Sequence, residues 1–114
     1  MASDPVTAAE AEAVVRAEWK HFHFDPVHDW LQIYARTDSG DLVVIATFNY
    51  PDSVQQAHAF TLQRQREIEE VREEIEMLSA HTHCFEAGRQ AFTRTTVRLN
   101  NVLADLQRGM KGAI

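Results

Sequence analysis

Cysteine is almost absent. Cys84 is the only one in 114 residues. A lone thiol closes no disulfide within the chain, so stability must come from an apolar core, and a reducing cytosol suits it. Glycine and proline are also scarce, at four and three residues. That excludes collagen-like and low-complexity classes. No glycine-rich phosphate loop occurs, and no G-x-S-x-G nucleophile turn. No apolar run approaches the roughly 20 residues that span a bilayer. The opening MASDPVTAAEAE has neither the basic nor the apolar region of a secretory signal. These absences predict a cytoplasmic protein with no membrane contact. Basic residues are outnumbered, 11 against 17 acids, for a net charge of −6. Neutralising phosphates needs a basic face, so direct nucleic-acid binding is not expected.

What remains is an ordinary globular composition, 45% hydrophobic and 25% charged. The length suits a single domain over 1–114, with a helix and β-meander in 1–50 and a helical region in 51–114. DPVTAAEAEAVVRAE reads as a first helix, capped by Asp4 or Thr7, with Glu10 three after Thr7 as in a capping box. WKHFHF (19–24), DWLQIYAR (29–36) and LVVIATFNY (42–50) alternate as strands, joined by a DPVH turn and a TDSG hairpin signal. Setting Phe22 opposite Leu31 collects Phe22, Phe24, Leu31, Ile33, Ala35, Val44, Ala46 and Phe48 on one face. Loops of two or four residues at TDSG preserve that face, because they differ by an even step.

Pro51 then blocks the third strand, and Ser53 with Gln56 forms a capping box for a long helix. A last helical segment follows and ends at Gly109 or Gly112. Val71, Leu78, Phe85, Phe92, Leu99 and Leu106 hold one seven-residue phase through the weak break SAHTH. The C-terminal part is therefore either an antiparallel helical hairpin or one long coiled-coil helix. A continuous helix would need a partner chain. The predicted fold class is α+β: N-terminal helix, three-stranded antiparallel β-meander, then this helical region. The α-β-β-β-α order is similar to that of double-stranded RNA-binding domains. Their basic helix start is missing here, since PDSVQQAHAF has no lysine or arginine.

Two clusters invite chemistry. In HFHFDPVHDW, period-two alternation alone turns Phe22 and Phe24 inward and His21 and His23 outward. His-hydrophobic-His on a strand resembles the metal-binding pattern of the HUH nucleases. Those enzymes need a nucleophilic tyrosine on a helix, whereas Tyr34 and Tyr50 both fall in strand segments, so the resemblance is not adopted. The second cluster, HTHC, offers His81, His83 and Cys84 as metal ligands. The outward face of the meander is rich in aromatics: Trp19, Trp30 and Tyr34 stand with His21 and His23. Such a face is either covered by the first helix or a second subunit, or it binds a partner. Glu69, Glu70, Glu73 and Glu74 form an acidic helix flank.

The functional expectation is a small acidic, non-catalytic protein-interaction or regulatory module without a cofactor, working as a homodimer. It could act as an inhibitor that occludes a basic nucleic-acid-binding site on a larger complex, as phage anti-defence proteins do. The alternative is a histidine-based metal-binding protein or metal-dependent enzyme. The partner-binding residues would be Trp19, His21, His23, Trp30, Tyr34, Glu69, Glu70, Glu73 and Glu74.

Overall fold

A computed structural model describes residues 6–80 and 89–112. The described chain runs α1 (Ala8–Glu18), β1 (His21–Asp25), β2 (Trp30–Arg36), β3 (Leu42–Phe48), α2 (Ser53–Ala80) and α3 (Arg89–Gln107). The fold is mixed α+β with one antiparallel sheet in the order β1-β2-β3. Chain contacts group residues up to Gln63 with those from Arg108 onward, and Arg64–Gln107 separately.

In the first group, α1 starts where Thr7 Oγ1 accepts from the Glu10 N–H at 3.1 Å, so Thr7 is the cap. Its thin apolar stripe buries Ala11 and Val15 fully. The β1–β2 connection is an Asx turn: Asp25 Oδ1 accepts from the N–H groups of Val27 and His28. Phe22 pairs with Ile33 and Phe24 with Leu31. That is two residues away from the expected register, and an even step leaves the inward face unchanged. Leu31, Ile33 and Ala35 on that face are fully buried. Phe22 and Phe48 lie at its margins, against Arg16 of α1 and Phe60 of α2 respectively.

β3 corrects one predicted core residue. Arg36 pairs with Leu42, so the connecting loop is the odd stretch Thr37 to Asp41 and not an even one. An odd step flips Leu42–Val44 to the opposite faces, and a bulge at Ile45 then restores the phase for Ala46 and Phe48. Val44 therefore pairs with Tyr34 and is 48% exposed. It stands outside the core in which alternation placed it.

The start of α2 also departs from the expected capping box. Ser53 Oγ donates to Asp29 Oδ1, and Asp29 also accepts from the backbone N–H groups of Asp52 and Ser53 at 2.7 and 2.9 Å. A carboxylate 24 residues upstream thus satisfies donors that a helix start leaves open. Gln56 instead donates to the carbonyls of Asn49 and Pro51. Asp29 holds a left-handed φ of 50° that aspartate tolerates better than most residues.

Trp19 is the largest fully buried side chain described. Its ring stacks on Phe60 with centroids 5.8 Å apart, and its Nε1–H donates to Thr61 Oγ1 at 2.9 Å. The Thr61 hydroxyl in turn donates to the Ala57 carbonyl at 2.7 Å, so this buried polar pair is satisfied. Residues after α3 close the same region. Met110 bridges Trp19, the Lys20 N–H donates to the Gly109 carbonyl at 2.8 Å, and the Lys111 N–H donates to the Glu18 carbonyl at 2.7 Å. Of the two predicted C-caps, Gly109 takes the left-handed conformation, with φ 83°.

In the second group, Ile68 is the buried residue of α2, while Val71, Ile75 and Leu78 are half-buried. On α3, Thr96, Leu99, Leu103 and Leu106 are half-buried, and Val97 and Val102 are exposed.

Candidate functional site

The outward face of the sheet carries most of the predicted binding residues. Alternation sets His21 and His23 of β1, Trp30, Gln32 and Tyr34 of β2, and Val44 and Thr47 of β3 on one side. The His23 ring meets Trp30 edge-on, with centroids 5.5 Å apart. His21 stands opposite Tyr34. The Tyr34 hydroxyl donates to Gln32 Oε1 at 2.6 Å, and Gln32 Nε2 donates to Thr47 Oγ1 at 3.3 Å. This cross-strand chain fixes the Tyr34 ring and leaves its hydroxyl engaged inside the sheet. Trp30 and Tyr34 are half-buried, and Leu42 and Val44 beside them are 47% and 48% exposed.

Two expectations about this face change. Trp19 is not part of it, because the chain leaves α1 at Trp19 and turns the indole into the core. The first helix packs from the inward side, with the Arg16 guanidinium 5.1 Å from the centroid of the Phe22 ring, and meets the outward face at a cavity that Glu12 and Arg16 share with Tyr34 and Leu42.

A groove of about 470 Å³ lies beside β1, whose outer edge has no neighbouring strand among the described residues. Its walls include Glu12, Arg16, Lys20 and His21 through Phe24. Arg16 Nη2 lies 3.3 Å from Glu12 Oε1. Arg16 and Lys20 escaped the sequence reading. The i, i+4 step from Glu12 to Arg16 was visible, but only the seating of α1 beside β1 makes it a wall.

The remaining candidates divide as follows. Glu69, Glu70, Glu73 and Glu74 are exposed on α2, in the second group of residues. His81, His83 and Cys84 lie outside the described residues. Among the described residues, no three His, Cys, Asp or Glu side chains converge as a metal site. His28 is engaged with Asp25, its Nδ1 2.7 Å from Oδ2. That contact is the main cause holding the Asp25 carboxyl below its usual range. The Asp29 carboxyl is also lowered, first by the Ser53 hydroxyl and then by the backbone N–H groups it accepts. Both acids are spent on turn and cap geometry. No helix among the described residues is long and apolar enough to cross a membrane. Comparison of the chain with family models, with curated proteins and with solved structures finds no match in any of the three.

Proposed function

We propose that this protein is a non-catalytic protein-interaction module of the cytoplasm whose docking surface is the outward face of the sheet. The observation that carries the reading is the pairing of rigid aromatics with exposed aliphatics. Trp30 and Tyr34 are held in place by His23 and Gln32, and Leu42 and Val44 stand exposed next to them. Amphipathic aromatics with one polar tip, ringed by apolar contacts, are what protein interfaces use as anchors. The odd loop and the bulge strengthen this reading, since together they turn Leu42 and Val44 toward the aromatic side.

The helical region supplies a second element. We read α2 and α3 as an antiparallel hairpin, supported by the hydrogen bond from Arg64 Nη1 to the Leu106 carbonyl at 3.1 Å. The acidic flank at Glu69, Glu70, Glu73 and Glu74 suits a partner that is basic, such as the nucleic-acid-binding site of a larger complex, and an inhibitor would act by occluding it. A homodimer is part of the same proposal.

Capture from the native host followed by mass spectrometry tests it. Trp30→Ala with Tyr34→Ala should abolish recovery of a specific partner while the far-UV circular dichroism is retained. Glu70→Lys with Glu73→Lys should weaken that recovery if the acidic flank contributes. A partner retained at full strength by the aromatic double variant would overturn the sheet-face reading.

A further inference from the structure

We propose that the free edge of β1 is a docking site for an acidic, extended peptide segment of a partner protein, which adds to the sheet as a fourth strand. The inference rests on the interaction-module reading and names a partner chemistry for the β1 edge, whose groove borders the aromatic face at Tyr34 and Leu42.

The geometry begins with the sheet order. Among the described residues β1 pairs only with β2, so alternate residues of His21–Asp25 direct their N–H and C=O groups away from the sheet. The cavity beside that edge is lined by the consecutive residues His21, Phe22, His23 and Phe24, and it also reaches Tyr34 and Leu42 of the neighbouring strands. Consecutive residues of a strand point to opposite faces, so a cavity touching all four reaches both sides of β1. An incoming strand needs that access. The other edge, β3, is interrupted by the bulge at Ile45, which breaks a regular ladder.

Charge selects the kind of segment. The chain carries −6, yet among the described residues that line this groove two cations, Arg16 and Lys20, stand against one acid, Glu12. Arg16 is held in position from two sides, by Glu12 at 3.3 Å and by the Phe22 ring beneath it at 5.1 Å. A cation fixed before binding loses little freedom when a carboxylate arrives. In a β-strand addition the backbone provides affinity and the side chains provide selectivity. Here a segment with glutamate or aspartate at alternate positions would meet Arg16 and Lys20, whereas a basic segment would be repelled.

The probe is a fluorescein-labelled Glu-Thr-Glu-Thr-Glu-Thr peptide, read by fluorescence polarisation on the full chain. The expected result is saturable binding that weakens with salt, with amide chemical shifts moving at His21–Asp25. Lys20→Glu should lower affinity by about tenfold or more, since a like charge replaces an attraction. Glu12→Gln should raise affinity, because it removes the one acid among the described residues that line the groove. The same peptide N-methylated at alternate residues keeps every charge but cannot complete the ladder, and it should lose about tenfold or more. Lys20 and Arg16 are exposed, so circular dichroism should show intact folds for their variants. Three results would overturn the inference: no binding by the wild-type chain, equal binding of the N-methylated peptide, or unchanged binding by Lys20→Glu. Should Trp30→Ala abolish binding while Lys20→Glu leaves it intact, the peptide sits on the aromatic face. The β1-edge inference then fails and the proposed function stands.

Discussion

Thr61→Val is the most informative single perturbation of the core. Valine matches threonine in shape, so the change leaves almost no cavity. It removes the oxygen that accepts the Trp19 Nε1–H at 2.9 Å in a fully buried setting. The indole N–H then has no partner and no water, at a cost of about 1–3 kcal/mol. The extra methyl returns up to about 0.8 kcal/mol of burial. The net loss is about 1–2 kcal/mol, a sizeable share of the roughly 5–15 kcal/mol that holds a domain folded. In a Trp19→Phe background the donor is already gone, so Thr61→Val should there be nearly neutral. The coupling between the two sites is then about 1–2 kcal/mol. Urea unfolding followed by far-UV circular dichroism measures it. With a slope of roughly 1–2 kcal/mol per molar, Thr61→Val alone should lower the midpoint by about 1 M. Equal costs in both backgrounds would refute the reasoning and show that Trp19 is held by packing alone.

Leu31→Ala or Ile33→Ala should cost roughly 2–5 kcal/mol, and Val44→Ala less than ~1 kcal/mol, in the same urea assay; the reverse order would mean that Val44 faces the core after all. Gly109→Ala should destabilise markedly and lower the thermal midpoint. A Cβ there would meet Ala35 Cβ and the Tyr34 carbonyl at 3.0 Å, on a backbone of φ 83°. Asp29→Asn addresses pH. The Asp29 carboxyl is lowered by its cap contacts, so its contribution is present above its ordinary value of 3.8 and is lost as pH falls toward the folded value. Stability of the wild type should therefore drop on acidification below about pH 4, and that slope should flatten in Asp29→Asn; an unchanged acid slope counts against the remote cap.

Much of this fold was legible because its signals are local. Period-two alternation placed His21 and His23 opposite Phe22 and buried Leu31, Ile33 and Ala35. Residue type narrowed two helix boundaries to pairs, Asp4 or Thr7 and Gly109 or Gly112, and the folded chain uses Thr7 and Gly109. The parts that were not legible depend on distant residues. Nothing near Ile45 marks a bulge, so Val44 was assigned to the wrong face. Trp19 looked like one more strand aromatic, because its partner Thr61 lies 42 residues away. Asp29 was unremarkable as a turn aspartate, although it caps α2 from 24 residues upstream. Of the candidate site, the aromatic face was legible except for Trp19. The cationic groove was hidden, since α1 and β1 meet only in the folded chain.

The Trp19–Met110 bridge sets an order of events during synthesis. The first group of residues draws its closing contacts from Arg108 onward, and the whole of Arg64–Gln107 is made in between. At about 5–20 residues per second, translation of that stretch takes roughly 2–9 seconds. For that interval the backbone groups of Glu18 and Lys20 lack the Lys111 and Gly109 partners they later find. Such a long-range contact also slows spontaneous folding, because the intervening loop must close before the contact forms. The nascent chain therefore passes through a stage with Trp19 incompletely covered, and at that stage it is most open to a chaperone or to a neighbouring ribosome's product.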